Sequence, residues 1–223
     1  MKFATVATFA ALSVPAVMAT THTMCYNYFL QKDGCVFSAA ALDQRCPAPA
    51  KQHSTPVKAF AMASNSRMAK RSDVAVYKSA SESHELERRY NTTRPSFAVA
   101  GGNGVCGYYD SKKEPGVCLW SGVPPVTVQT AGWLNGAKTS NCGKRVYIQR
   151  KGQPSTVKFV RVLDGCDFGT TRPDPGCFDI AVTIALFNLF NPTYDEQRAG
   201  ELIGGITWDW DNLDNTHTQQ APV

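Results

Sequence analysis

Apart from its first residues, the chain lacks any apolar run that could cross a lipid bilayer. It has 223 residues, and no later stretch approaches the roughly 18 uncharged apolar residues of a membrane-spanning helix. The C-terminal QQAPV is not a hydrophobic anchor signal either. Only the opening MKFATVATFAALSVPAVMA combines a basic residue, an apolar run and a small-residue cleavage site, which is typical of a secretory signal peptide. We therefore expect residues 1–19 to be removed and the mature chain to be exported, with no membrane partner.

Closely spaced cysteine pairs are also missing. The eight cysteines contain no Cys-x-x-Cys motif, so their spacing does not favour a zinc site. In an oxidising compartment cysteines are typically disulfide partners, and we expect no metal and no cofactor. The spacing alone leaves their connectivity open. The cysteines are Cys25, Cys35, Cys46, Cys106, Cys118, Cys142, Cys166 and Cys177.

The sequence has no nucleic-acid-binding motif, and its basic excess is uneven. Residues 20–96 hold eleven Lys or Arg against six Asp or Glu, whereas residues 97–212 hold eleven of each. A balanced segment does not attract polyanions by charge alone. We therefore expect no nucleic-acid partner.

The N-terminal third divides into two parts. Residues 20–50 form a small segment with three cysteines, and residues 51–96 contain few large apolar side chains. Because the second part cannot bury enough surface to offset the entropy of ordering, it is predicted to be a basic, largely disordered linker. Dibasic pairs ending at Arg71 and Arg89 are candidate processing sites or incidental pairs. Asn91 begins an Asn-Thr-Thr sequon, which predicts glycosylation on an exposed segment.

From residue 97 the pattern becomes a series of short β-rich runs separated by turn residues. This pattern predicts one mainly β domain over residues 97–212, with a tail at 213–223. Residues 145–163 are expected to form a hairpin, and residues 180–190, which are apolar and end at Asn-Pro, are predicted to be a short helix. The predicted strands are 126–130, 145–149, 156–163 and 205–210.

Five motifs occur along the chain in an order that resembles a known family. They are Gly104-Val-Cys-Gly-Tyr108, Asn141-Cys-Gly-Lys144, Val162-Leu-Asp-Gly-Cys166, Cys177-Phe-Asp-Ile180 and Gly205-Ile-Thr-Trp208. Their order resembles the double-psi β-barrel of RlpA-like, barwin-like and expansin-like proteins, including the secreted fungal members called loosenins. The resemblance implies a six-stranded barrel with one short helix and an open groove.

Two aspartates are the candidate site residues that the resemblance implies. Asp164 and Asp179 match family positions that lie near each other in the groove. In the related family-45 endoglucanases an aspartate pair hydrolyses β-1,4-glucan, whereas expansins loosen wall polysaccharide without hydrolysis. Asp164 is alternatively an acceptor for backbone N–H groups of a loop, and Asp179 an N-cap of the following helix. Asp167 and Asp174 lie beside Gly and Pro and are interpreted as turn residues.

Aromatic rings are the other candidates, because sugar faces stack on flat apolar surfaces. Tyr108 and Tyr109 point to opposite faces if they lie on a strand, so at most one faces the groove. Trp120 and Trp133 lie in turn-rich sequence, which predicts partial exposure. Trp208 matches a family tryptophan, with a core position as the alternative. The candidate polysaccharide-binding residues are Tyr108, Trp120, Trp133 and Trp208.

The resemblance also implies disulfides Cys106–Cys142 and Cys166–Cys177. Cys118 is then left over, and the N-terminal region holds three cysteines. One bridge from Cys118 to Cys25, Cys35 or Cys46 would make both counts even.

Three functions remain open at this point. The first is a secreted, monomeric, expansin-like protein that binds and loosens cell-wall polysaccharide of the glucan or chitin type without hydrolysis. The second is a secreted effector or protease inhibitor whose loops bind a host or microbial protein. The third is a glycoside hydrolase of the β-1,4-glucanase type, acting through Asp164 and Asp179.

Overall fold

The computed structural model describes residues 21–47 and 90–223. The predicted signal peptide at 1–19 and most of the predicted linker at 51–96 lie outside the described residues. Within them, no helix is long and apolar enough to cross a membrane. The described part of the chain is mainly β.

The described ranges contain ten strands and four helices. The strands are β1 (Tyr90–Asn91), β2 (Ser96–Val99), β3 (Gly102–Gly104), β4 (Gly107–Tyr109), β5 (Gly116–Trp120), β6 (Arg145–Arg150), β7 (Lys158–Cys166), β8 (Ile180–Thr183), β9 (Glu201–Leu202) and β10 (Ile206–Trp210). The helices are α1 (Met24–Asp33), α2 (Pro173–Gly176), α3 (Ile184–Leu189) and α4 (Tyr194–Ala199). Short 3-10 turns span Pro154–Thr156 and Thr218–Gln220.

Eight of the strands form one curled sheet in the order β1-β10-β6-β7-β5-β8-β2-β9, and β3 and β4 form a separate hairpin. The pairs β5–β7 and β2–β8 are parallel, and the other pairs are antiparallel. The edge strands β1 and β9 do not pair with each other, so the sheet is not a closed barrel. The predicted strand count of six is therefore wrong. Both edge strands have two residues, too few to show an alternating pattern in sequence.

The predicted hairpin over residues 145–163 is confirmed, since β6 pairs antiparallel with β7. The predicted strand at 205–210 is confirmed as β10. The predicted strand at 126–130 is wrong. Val126 is 63 % exposed, and the backbone N–H of Thr127 donates to Thr130 Oγ1 at 2.9 Å. Threonine side chains thus bind the backbone that a strand partner would otherwise bind.

The predicted helix over residues 180–190 divides into β8 and α3. Val182 pairs with Val117 of β5, so the first residues belong to the sheet. The helix begins only after Thr183, whose Oγ1 accepts from Leu186 N at 3.3 Å. Asp179 therefore does not cap this helix. Thr183 is the one polar residue at this junction, and a single threonine does not show in sequence where a buried strand ends and a helix begins.

The N-terminal segment is an integral part of the fold. Thr23 caps α1 through its side chain, and Gly34 ends it in the left-handed conformation with φ 72°. The N–H groups of Met24 and Cys25 donate to Ala131 O and Gly132 O at 2.8 and 3.1 Å. The first turn of α1 is therefore hydrogen-bonded to the β domain, which satisfies donors that a helix cannot satisfy itself.

The core is a cluster of aromatic rings between α1 and the sheet. The ring of Phe29, which is 1 % exposed, lies 4.6 Å from that of Tyr90 and 5.9 Å from that of Trp133. The ring of Tyr90 in turn lies 4.9 Å from that of Trp208. Residues 90–96, assigned to the linker in sequence, thus contribute β1 and a buried tyrosine.

All eight cysteines form disulfides: Cys25–Cys177, Cys35–Cys46, Cys106–Cys142 and Cys118–Cys166. The predicted Cys106–Cys142 bridge is confirmed. The predicted Cys166–Cys177 bridge is wrong, as is the predicted bridge from Cys118 to the N-terminal region. Cys118 and Cys166 lie on the neighbouring parallel strands β5 and β7, and Cys177 instead binds Cys25 of α1.

Candidate functional site

A glycine-rich hairpin projects one aromatic ring into solvent. In it β3 and β4 pair in the register Gly102↔Tyr109 and Asn103↔Tyr108, around a two-residue turn. Gly107 adopts φ 110°, a conformation that glycine tolerates without strain. Tyr108 is 76 % exposed, whereas the adjacent Tyr109 is 4 % exposed. The expectation that these two rings point in opposite directions is confirmed.

Asp164 fixes this hairpin to β7. Its Oδ1 accepts from the backbone N–H groups of Val105 at 2.6 Å and Gly165 at 2.8 Å. Its Oδ2 accepts from the hydroxyl of Tyr109 at 3.0 Å. Burial, then the charge and hydrogen bond of Asp164, raise the pKa of Tyr109 to about 12, so the phenol stays a donor at physiological pH. The predicted alternative, a carboxylate that accepts from loop backbone, describes these contacts.

A disulfide holds the same hairpin at its tip. Cys106, in the turn between β3 and β4, is bonded to Cys142. Asp164 thus restrains the hairpin at Val105 in the turn and at Tyr109 on β4, and the disulfide restrains it at Cys106 in the turn. Tyr108 is therefore an exposed aromatic side chain on a backbone with little freedom to lose.

Gly104→Ala is expected to loosen the hairpin. A Cβ at Gly104 would lie 2.4 Å from the Asp164 carboxyl carbon, so the carboxylate must move away from the hairpin. We expect a loss of about 1–3 kcal/mol in the free energy of unfolding, measured by urea denaturation. Gly136→Ala is the control, because its Cβ would meet nothing nearer than 3.8 Å. Equal stabilities of the two variants would contradict this role of Asp164.

Asp179 lies at a second place and is 4 % exposed. Its Oδ1 accepts from the N–H of Thr93 at 2.9 Å and from the Thr93 hydroxyl at 3.0 Å. Its Oδ2 accepts from Nε of Arg94 at 3.0 Å, forming an ion pair. The carboxylate thus ties the segment between β1 and β2 to the start of β8.

A cavity of about 210 Å³ opens beside this ion pair, and we call it the Asp179 pocket. Two aromatic rings and three carboxylates contribute to its wall. Its lining includes Arg94, Phe97, Asp167, Phe168, Asp179 and Glu201. Nothing in the sequence indicated this pocket, since Glu201 of β9 lies far along the chain from Arg94 and Phe97.

The two aspartates flank β5 but have separate partners. Asp164 pairs in register with Cys118 of β5, and Ile180, next to Asp179, pairs with Leu119. The hydrogen bonds of Asp164 come from the hairpin and Gly165, and those of Asp179 from residues 93 and 94. Asp164 does not line the Asp179 pocket. A catalytic role for the pair stays a prediction.

Three of the four candidate sugar-binding rings are in the core. Trp120, Trp133 and Trp208 are each 0 % exposed. The indole N–H of Trp133 donates to Cys177 O at 3.0 Å, and that of Trp208 to Phe178 O at 2.8 Å. The predicted partial exposure of Trp120 and Trp133 is wrong, because nearby turn residues do not determine which way a ring points.

The modification sites stay predictions. Asn91 lies half-buried on β1, where its Oδ1 accepts from the Thr207 hydroxyl at 2.5 Å. The hydroxyl of Thr93, the third sequon residue, donates to Asp179. Arg71 and Arg89, the predicted processing sites, lie outside the described residues. Within residues 21–47 and 90–223, no group of three or more His, Cys, Asp or Glu side chains is arranged to hold a metal ion.

Comparisons with known proteins place the chain in no family. No family model matches it, and a search of curated proteins finds no relative. Among solved structures, a Streptomyces papain inhibitor is similar with a TM-score of 0.37 and 20 % sequence identity. The similarity covers 53 % of this chain and 92 % of that chain. A likeness this distant transfers no function, so the function has to be argued from the site itself.

Proposed function

We propose that the chain is an exported protein-binding module of the inhibitor type, which presents the β3–β4 hairpin to a partner protein. The observation that carries this proposal is the restraint of the hairpin. Asp164 accepts from the N–H of Val105 and the hydroxyl of Tyr109, and Cys106 is bonded to Cys142. Tyr108 remains exposed between these two restraints.

A restrained loop is suited to binding because little entropy remains to be lost on association. Tyrosine is enriched among the residues that contribute most to interfaces, since its ring buries a large area and its hydroxyl can bond at the rim. Protease–inhibitor complexes in particular involve interface backbones that move little on binding. These three points favour a protein partner over other partner classes.

Export is part of the proposal. Four disulfides join all eight cysteines, and such bridges persist in oxidising compartments. The secretory character of residues 1–19 agrees with this. We therefore propose that the protein acts outside the cell. We also propose that it binds its partner as a monomer.

Polysaccharide loosening receives less support. Of the four rings predicted to contact sugar, only Tyr108 is exposed. Both oxygens of Asp164 are engaged by the hairpin and by Gly165. These contacts position the hairpin. This structural role accounts for Asp164 without any reaction on a glycan.

We also propose that the fold is of the double-psi β-barrel type. What supports it is the presence of two parallel pairs, β5–β7 and β2–β8, in an otherwise antiparallel sheet. The strand β7 ends in the Asp164-Gly165-Cys166 motif beside β5. Barrels of this kind serve several unrelated functions, so this likeness says where the hairpin sits and not what it binds.

Tyr108→Ala tests the proposal, with Tyr194→Ala as a matched control. The two rings are 76 % and 77 % exposed, and Tyr194 lies on α4 and is not part of the hairpin. Purified protein is measured for binding and inhibition against papain-type cysteine proteases and trypsin- and subtilisin-type serine proteases. For the protease that binds, Tyr108→Ala is expected to weaken affinity at least about tenfold. Tyr194→Ala is expected to change it less than about twofold.

Three results would overturn this function. One is that no protease in the panel binds, and another is equal loss in the two variants. The third is retention of the wild-type protein on insoluble glucan or chitin that persists in Tyr108→Ala, since this would support a polysaccharide partner away from the hairpin.

A further inference from the structure

The Asp179 pocket has a wall of two aromatic rings in a fixed arrangement. The ring centroids of Phe97 and Phe168 lie 5.5 Å apart at an interplanar angle of 72°. Phe97 is held on β2 and is only partly buried, whereas Phe168 is 6 % exposed. One ring edge packs against the other ring's face, which is a preferred geometry for such a pair. The wall is therefore built before any ligand arrives.

Strand pairing places a carboxylate next to this wall. In the antiparallel pair β2–β9, Phe97 lies directly opposite Glu201. Side chains directly opposite in such a pair are neighbours on one face of the sheet. Glu201 therefore stands beside Phe97, and both line the pocket.

The charges of the pocket leave two carboxylates without a cation. Arg94 and Asp179 neutralise each other at 3.0 Å. Asp167 accepts from Gly169 N at 2.7 Å through one oxygen. Within the described ranges, neither Asp167 nor Glu201 takes part in an ion pair. The pocket thus combines an aromatic wall with a net negative charge.

We infer that the Asp179 pocket accepts one lysine or arginine side chain of the partner protein. The reference to a partner protein rests on the proposed function. A cation gains from the face of an aromatic ring, and the apolar stem of a lysine or arginine packs on such a ring while its charged end reaches a carboxylate. Asp167 and Glu201 supply that carboxylate at the rim.

The size of the pocket also favours a single side chain. Small-molecule sites typically measure about 300–1,000 Å³, and this cavity is about 210 Å³. An acidic side chain is disfavoured although Arg94 lines the pocket, because Asp179 already pairs with Arg94 and two further acids, Asp167 and Glu201, also line it. The negative charges of these acids would repel an entering carboxylate.

Titration with blocked amino acids tests the inference on the intact protein. The probes are the N-acetyl methylamides of arginine, lysine, citrulline and glutamate, followed by amide shifts in ¹⁵N-labelled protein. Arginine and lysine are expected to shift the amides of Phe97, Phe168 and Glu201, with dissociation constants in the millimolar range. Citrulline, which keeps the shape of arginine without its charge, is expected to bind at least about fivefold more weakly.

Two charge variants and a control locate the binding. Glu201→Gln and Asp167→Asn are each expected to weaken arginine binding about two- to fivefold, and raised salt is expected to weaken it further. Asp195→Asn, an exposed acid on α4 outside the pocket, is expected to leave it unchanged. The absence of shifts, equal binding of citrulline, or tighter binding of glutamate would each overturn the inference.

The outcome of the titration with blocked amino acids can be distinguished from the outcome of the protease-binding test of the hairpin. If no protease in the panel binds while the arginine probe still shifts Phe97, the partner assignment fails and the cation pocket stands. If the probes cause no shifts while Tyr108→Ala weakens protease binding, the pocket inference alone fails.

Discussion

Replacing Glu196 by alanine is expected to destabilise the protein by about 3–5 kcal/mol, because it leaves a buried guanidinium without its partner. Both oxygens of Glu196 accept from the Arg150 guanidinium at 2.8 Å, and the two side chains are 4 % and 12 % exposed. Glu196 also accepts from the N–H groups of Thr193 at 2.9 Å and Ile203 at 3.2 Å. One carboxylate therefore joins β6, the start of α4 and the turn after β9. The measurement is the free energy of unfolding in urea.

The same carboxylate predicts a loss of stability in acid. The hydrogen bonds from Arg150, above all, lower the pKa of Glu196 from 4.5 to about 2. Because the folded chain then binds fewer protons than the unfolded chain between these values, this contribution is fully present above the unfolded pKa. It is lost as pH falls from about 4.5 towards 2. We expect the wild type to lose about 2–3 kcal/mol from this group over that range, at 1.36 kcal/mol per pKa unit.

Two variants isolate the effect from general acid unfolding. Glu196→Gln lacks the titrating group, so its free energy of unfolding is expected to fall less steeply between pH 5 and pH 2 than that of the wild type. Asp195→Asn, the exposed neighbour on α4, is expected to follow the wild type within about 0.5 kcal/mol. Parallel acid profiles for wild type and Glu196→Gln would show that the ion pair contributes no pH-dependent stability.

This site illustrates what local sequence can and cannot indicate. Thr193 and Glu196 form a capping box, a Thr-x-x-Glu pattern that is readable from sequence alone. Arg150 lies 46 residues away along the chain, and no spacing rule connects it to α4. The cap was therefore within reach of sequence reasoning, whereas the buried ion pair depends on how α4 packs on the sheet.

The same distinction between local patterns and long-range contacts explains which of the other predictions were confirmed and which were wrong. The hairpin of β6 and β7 has two β-rich runs, the second of them partly alternating, around the turn Lys-Gly-Gln-Pro at 151–154, and its prediction is confirmed. The turn residues beside Trp133 suggested exposure, but the ring is 0 % exposed because Phe29 of α1 lies over it. Long-range contacts of this kind also determine the disulfide pairing, since Cys177 is bonded to Cys25 across a separation of 152 residues.

Phe29→Ala gives the second large effect and tests whether residues 21–47 belong to the core. The ring is 1 % exposed and lies 5.1 Å from that of Phe178, in addition to its contacts with Tyr90 and Trp133. Its removal leaves a cavity among rigid rings that cannot collapse into it. We expect a loss of about 3–5 kcal/mol in the free energy of unfolding.

Leu42→Ala is the matched control, since Leu42 lies in the same N-terminal segment and is 75 % exposed. It is expected to change the free energy of unfolding by less than about 0.5 kcal/mol. Both variants keep the Cys25–Cys177 bridge, so a difference between them reports on packing and not on covalent attachment. If Phe29→Ala is as stable as Leu42→Ala, the packing of Phe29 contributes nothing measurable to stability, and the disulfide and the hydrogen bonds of its first turn hold α1 to the sheet. A loss of the expected size instead means that α1 completes the core on which the candidate site stands, because Phe29 packs on Phe178, the residue before Asp179.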